Sequence, residues 1–237
     1  NVYYALKSQK KDVKKFKRFL FKKLEFISKE FNYKFNIMNN YLVFEGLNKH
    51  FIWLNRNQSY VFINFSEEDY LTQIHEIVEG EILSKSNFYK NDKYTRWIGD
   101  GIAEYARYKC FKKLHPNKDF FIIKKFFGLI KMKKIAIWEI RDNKKYFDLR
   151  KFKVYETMDE VEGITYFEMY VISMYFWYKI TNKCGDQIIG KFLNEASKLD
   201  KLTNKELVPL LSEITGMDID KELNVNLEEV VEFVNNN

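Results

Sequence analysis

The segment SEEDYLTQIHEIVEGEIL, from Ser66 to Leu83, has the clearest helix signals in the sequence. Ser66 is a good N-cap, and Asp69 three residues later completes a capping-box pattern. Glu67 and Glu68 place negative charge at the positive end of a helix dipole. The stretch is therefore predicted to be a single helix that begins at Ser66.

Within this helix the sequence has an H-E-x-x-E pattern, in which His75 and Glu79 lie four residues apart. Residues at this spacing share a helix face, so an imidazole nitrogen and a carboxylate oxygen can point to one place. Glu76 projects beside them. In a zinc hydrolase two such side chains hold the metal, while the adjacent Glu takes a proton from the metal-bound water. His75 and Glu79 are therefore candidate ligands, and Glu76 is the candidate base.

A zinc site needs a third protein ligand, and a second segment offers one. Asp100 lies in the sequence WIGDGIAEY, from Trp97 to Tyr105, and Glu104 follows four residues later on the same helical face. Both are candidate metal ligands. Another interpretation stays open, because an Asp near the start of a helix is stabilising without any metal. Glu79 can likewise be a surface carboxylate or the remnant of a decayed site.

Taken together, the two segments resemble those of the gluzincin metallopeptidases, which have H-E-x-x-H followed by W-x-x-E-G-x-A-E-Y. Three later segments extend the resemblance: Tyr166 to Lys179, Gly185 to Leu193, and Ile214 to Met217 with its T-G pair. The resemblance implies a zincin-like, peptidase MA-like fold and zinc-dependent hydrolysis of peptides or proteins. The resemblance covers most of the chain from about Tyr60 onward, and since no internal repeat or low-complexity linker is visible, we expect one peptidase-like domain over residues 1–237.

Two departures from the family pattern bear on the chemistry. Glu79 stands where the family has its second His, and Asp100 stands where it has Glu. A set of one imidazole and two carboxylates can bind zinc, but harder oxygen ligands favour Mn²⁺ or Mg²⁺ more than imidazole does. The alternative is an inactive relative without a metal, which binds a protein, an envelope component or an anionic surface. The resemblance also makes Tyr166 a candidate oxyanion donor, although it can equally be a core tyrosine.

The rest of the chain predicts a helix-rich α+β fold, since its 237 residues include only nine Gly and two Pro. We expect an N-terminal lobe, residues 1–116, with a small sheet and the active-site helices, and a helical C-terminal lobe, residues 117–237. Four strands are predicted, at Tyr33 to Ile37, Tyr41 to Phe44, Phe51 to Leu54 and Tyr60 to Phe65. Further helices are predicted at Asp12 to Phe31, Ile98 to Leu114, Phe120 to Leu129, Ile164 to Thr181, Asp186 to Leu199, Asn204 to Ile214 and Leu227 to Val234.

The net charge is +7, and basic residues concentrate in the first helix. Its lysines suit peripheral contact with an anionic membrane, but its apolar residues at helical spacing also describe an ordinary core helix with lysines in water. No nucleic-acid-binding motif is present, so we expect no nucleic-acid partner. No apolar run reaches the roughly 18 residues of a membrane span. We expect a monomer.

Two features concern the compartment. Cys110 and Cys184 can form one disulfide or remain two core thiols, and the sequence leaves both options open. The chain begins at Asn1, which is consistent with an exported or membrane-anchored protein whose leader has been removed.

Overall fold

The computed structural model describes residues 10–35, 41–45, 51–55, 58–63, 67–86, 95–122, 145–152, 164 and 166–237. Within these ranges the chain is helix-rich with small sheets, which confirms the α+β prediction at this level. None of the helices in these ranges combines the length and the apolarity that a membrane span needs. Cys110 and Cys184 are both free thiols, so the second of the two cysteine alternatives holds.

The first helix, α1, runs from Lys10 to Glu30, as the apolar spacing predicts. Its apolar stripe is buried in the core, while most of its lysines are half-buried or exposed. The stripe consists of Val13, Phe16, Leu20, Leu24 and Ile27. The core interpretation of this helix is therefore confirmed, and its opposite face stays available to solvent.

Three strands form the N-terminal sheet: β1 (Tyr41–Glu45), β2 (Phe51–Asn55) and β3 (Gln58–Ile63). The order is β1-β3-β2, with β1 parallel and β2 antiparallel to β3, so the sheet is mixed. The strand predicted at Tyr33 to Ile37 is wrong for residues 33–35, which have no regular structure, and residues 36–37 lie outside the described ranges. Asn32, which follows the end of α1 in a turn, has a positive φ of 49° that is incompatible with an extended strand, and Tyr33 and Phe35 pack against each other in the core.

Three long helices form the centre of the molecule. They are α2 (Glu67–Ser86), α3 (Arg96–Leu114) and α4 (Tyr166–Cys184), and α3 packs against both of the others. Trp97 of α3 stacks on Trp177 of α4 with ring centroids 6.1 Å apart, and the Trp177 indole nitrogen donates to the Trp97 carbonyl at 3.0 Å. Gly101 permits this approach, because a Cβ at that position would lie 2.8 Å from the Trp177 ring.

The C-terminal part adds α5 (Gln187–Ala196), α6 (Asn204–Thr215), the single turn α7 (Ile219–Glu222) and α8 (Leu227–Asn236). Gly190 of α5 lies directly on the end of α1, where a Cβ would come within 2.0 Å of the Phe31 carbonyl oxygen. A small antiparallel sheet, β4 (Tyr146–Asp148) with β5 (Asn224–Asn226), was not predicted. Of the helix predicted at Phe120 to Leu129, residues 120–122 form a 3₁₀ turn and the rest lies outside the described ranges.

Candidate metal centre

The helix α2 presents His75 and Glu79 to α3. His75 is buried, with 6% of its surface exposed, and its Nε2 lies 3.7 Å from a Glu79 carboxylate oxygen. One helical turn separates the two residues, which explains why they share a face. The predicted pairing of an imidazole with a carboxylate is therefore present.

Asp100 approaches the same imidazole nitrogen from α3. Its side chain is fully buried, and its Oδ1 lies 3.8 Å from His75 Nε2. The candidate donor atoms of His75, Glu79 and Asp100 all lie within 4.8 Å of one another. The three residues come from two helices and converge on one buried point.

The size of this group suits a single cation. A metal held tetrahedrally about 2.1 Å from two donor atoms separates those atoms by about 3.4 Å. The distances from His75 Nε2 to the two carboxylates, 3.7 and 3.8 Å, exceed that value by only a few tenths of an ångström. A neutral imidazole and two carboxylates form a donor set that zinc and harder divalent ions accept. The buried group of His75, Glu79 and Asp100 could therefore hold a metal ion.

Glu104 lies on the opposite side of the imidazole from these carboxylates. Its Oε2 is 2.8 Å from His75 Nδ1, whereas Glu79 and Asp100 are near Nε2. Burial opposes ionisation of Glu104, but the nearby charge of Arg107 and the bond with His75 outweigh it and lower the pKa of Glu104. An ionised Glu104 accepts a hydrogen bond from the Nδ1–H of His75, so the proton of a neutral ring stays on Nδ1 and the Nε2 lone pair is left for a ligand. Glu104 thus orients His75 and lies outside the group of candidate metal ligands, which consists of His75, Glu79 and Asp100.

Arg96 is a cation within the centre. Its Nη2 donates to Asp100 Oδ1 at 2.9 Å, its Nε contacts Asp100 Oδ2, and the same Nη2 lies 3.9 Å from Glu79. The guanidinium is 3% exposed and also donates to the Tyr170 hydroxyl at 2.9 Å. The metal motif does not include Arg96, and only its spacing of four residues from Asp100 indicates the ion pair in the sequence.

The close packing of acids shifts their proton affinities. Burial, together with the charge of Asp100, raises the pKa of Glu79 to about 8. Burial also raises the pKa of Glu76. Burial opposes ionisation of Asp100 as well, but the charge of Arg96 and the bond with His75 lower its pKa. Burial disfavours the imidazolium, yet bonds with Asp100 and Glu104 raise the pKa of His75 well above its ordinary value. A divalent cation would compete with the protons that this cluster retains.

The two predicted catalytic residues, Glu76 and Tyr166, lie on α2 and at the start of α4. Glu76 follows His75 on α2, and its half-buried side chain makes no hydrogen bond or ion pair with another described residue. Tyr166 begins α4, and its side chain lies outside what the structure describes. The two other histidines of the chain are not predicted ligands: His115 contacts Glu67 at 2.5 Å at the start of α2, away from the centre, and His50 lies outside the described ranges.

No protein family, curated protein or solved structure with which the chain was compared matches it.

Proposed function

We propose that this protein is a metal-dependent peptidase of the gluzincin type, with zinc as its metal. The observation that carries the proposal is the convergence of His75, Glu79 and Asp100, whose donor atoms lie within 4.8 Å of one another in a buried place. The sequence pattern that resembles the gluzincins named these three residues, and they come from two helices that are separate in the chain. Two of the three residues, His75 and Asp100, are buried, and Glu79 is half-buried, so the group is not a cluster of surface acids.

Each residue has a distinct role in the proposal. His75, Glu79 and Asp100 hold the ion, and Glu104 fixes the imidazole ring through Nδ1. A bound divalent cation lowers the pKa of water and polarises the scissile carbonyl. Peptides or proteins are the substrates.

Glu76 serves as the general base and acid. It is adjacent to His75, and it forms no bond with another described residue that would compete for a proton. Burial raises the pKa of Glu76 above its ordinary value, and a raised pKa suits a group that takes a proton from water and passes it to the leaving amine. Tyr166, at the first residue of α4, stays the candidate donor to the oxyanion.

Elemental analysis of protein purified without added metal tests the metal site. We expect about one zinc or other divalent ion per chain, and a large loss of that ion in Glu79→Ala. Metal content that is negligible in the wild-type protein, or unchanged in Glu79→Ala, would contradict the proposal.

Hydrolysis of a quenched fluorescent peptide library tests the activity. Glu76→Gln keeps the shape of the side chain but cannot take the proton, so we expect the rate to fall by about a hundredfold or more. Metal content and thermal stability should stay at wild-type values in this variant. Equal hydrolysis by both proteins would remove Glu76 from its proposed role.

A second candidate function is binding to an anionic surface without catalysis. It is favoured by α1, whose nine basic and three acidic residues give a net charge of +6, against +7 for the whole chain. Sedimentation with vesicles containing phosphatidylserine tests it. Reversal of charge at Lys14, Lys15 and Lys22 should then abolish binding, whereas Glu76→Gln should leave it unchanged.

A further inference from the structure

In the form that binds a metal, the donor group has two ionised carboxylates and a neutral imidazole, and so a formal charge of −2 in a largely buried place. Burying such a charge without compensation destabilises the fold, because water no longer solvates it. The described part of the chain places one guanidinium against this group, that of Arg96, with 3% of its surface exposed.

We infer that Arg96 is a permanent counter-charge of the metal centre, which sets its affinity for divalent ions and keeps the centre folded when the ion is absent. The inference rests on the proposed metal site and adds to it a residue that determines affinity. No atom of Arg96 can act as a metal ligand, since the nitrogens of a guanidinium donate hydrogen bonds and offer no lone pair to a metal.

The contacts of Arg96 are with the donor group itself. Two of its nitrogens contact the two oxygens of Asp100, with Nη2 to Oδ1 at 2.9 Å, and Nη2 is 3.9 Å from Glu79. A fork of this kind holds a carboxylate in one orientation. The positive charge of Arg96 also partly neutralises the carboxylate oxygens that a metal would bind. Arg96 therefore reduces the effective charge of the donor group and weakens its attraction for every divalent cation.

The guanidinium is held in place from its other sides. Its carbon lies 5.5 Å from the centre of the Phe152 ring and 5.7 Å from that of the Tyr170 ring. The Tyr170 hydroxyl accepts a hydrogen bond from it at 2.9 Å. Cation–π contact with two rings and near-complete burial keep the charge beside Asp100. The positive charge is thus a fixed part of the centre.

Titration of metal-depleted protein with Zn²⁺ and with Mn²⁺, against a competing chelator, tests the inference. Arg96→Met keeps the apolar stem and removes the charge, so we expect at least tenfold tighter binding of both ions and a lower melting temperature without metal. Arg96→Lys keeps the charge and should bind within about threefold of the wild type. Tyr170→Phe keeps the guanidinium and should also stay within about threefold.

Each result separates this inference from the proposed function. Equal or weaker binding by Arg96→Met, with a wild-type protein that binds metal, overturns the role of Arg96 and leaves the peptidase proposal intact. Binding by Arg96→Met alone supports the role of Arg96 and overturns the metal site of the native protein. Binding by neither overturns both. If Arg96→Met is unfolded without metal, refolding on addition of Zn²⁺ supports the inference, and failure to refold in excess Zn²⁺ overturns it.

Discussion

Glu79 is expected to make the metal-depleted protein less stable as the pH rises. Burial and the charge of Asp100 raise the pKa of Glu79 from 4.5 to about 8 in the folded state. Between these values the folded protein holds a proton at Glu79 that the unfolded chain has released. The contribution of Glu79 to the free energy of unfolding is complete below pH 4.5 and is lost as the pH rises through about 8. Within this range the free energy of unfolding falls by up to about 1.4 kcal/mol per pH unit.

Glu79→Gln isolates this effect, since the amide has the same shape and does not titrate. We would measure the free energy of unfolding by urea in the presence of a chelator at pH 5, 6, 7 and 8. His75 changes the stability in the same direction, because its pKa is also raised, but that contribution is present in both proteins. The stability of the wild type relative to the variant should fall by on the order of 3 kcal/mol over the series.

A divalent ion should reverse the trend. Because it keeps the Glu79 carboxylate ionised, the pKa of Glu79 in the folded state falls below that of the unfolded chain. The contribution of Glu79 to stability should then be complete above about pH 4.5 and should be lost only as the pH falls below that value. If the difference between wild type and Glu79→Gln does not vary with pH in the chelator, the carboxylates do not interact as described and the electrostatic account of the centre is wrong.

Three further predictions concern other parts of the molecule. Gly190→Ala should destabilise the protein by about 3 kcal/mol or more, because its Cβ would overlap the Phe31 carbonyl; an unchanged melting temperature would contradict this. Glu104→Gln should weaken metal binding about 10- to 100-fold, because the orientation of His75 is lost, and equal affinity in a chelator titration would exclude that role. Burial raises the pKa of Cys110 to about 12, so its thiol should react with an aromatic disulfide reagent only after unfolding, and rapid reaction of the native protein would show that it is accessible.

The long helices could be predicted from the sequence because their signals are local, whereas the single turn α7 was not predicted. The apolar spacing in α1 and the acidic start of α2 depend on residues within one or two turns, and the observed bounds agree with them closely. The pairing of His75 with Glu79 belongs to the same class, because the geometry of one helix decides it. Convergence of Asp100 on that pair needed a tertiary contact, and only the resemblance to a family pattern indicated it.

The missed features depend on contacts between distant parts of the chain. The strands β4 and β5 have three residues each and pair across a long separation, so neither has a pattern of its own. The aromatic run after α1 has the composition of a strand, but the reversal at Asn32 turns it back into the core. The position of the Arg96 guanidinium depends on contacts with Tyr170 and Phe152, which lie far along the chain, so the sequence near Arg96 does not indicate it.

The stacked indoles of Trp97 and Trp177 offer an optical signal for the alignment of α3 with α4. Their rings are nearly parallel, at 19°, so their electronic transitions couple and contribute to circular dichroism in the near ultraviolet. Trp97 lies three residues before Asp100, so a shift of α3 along its neighbour would alter that signal and displace the carboxylate together. The near-ultraviolet circular dichroism of the unlabelled protein therefore reports on the alignment of α3 with α4 next to the buried charged residues.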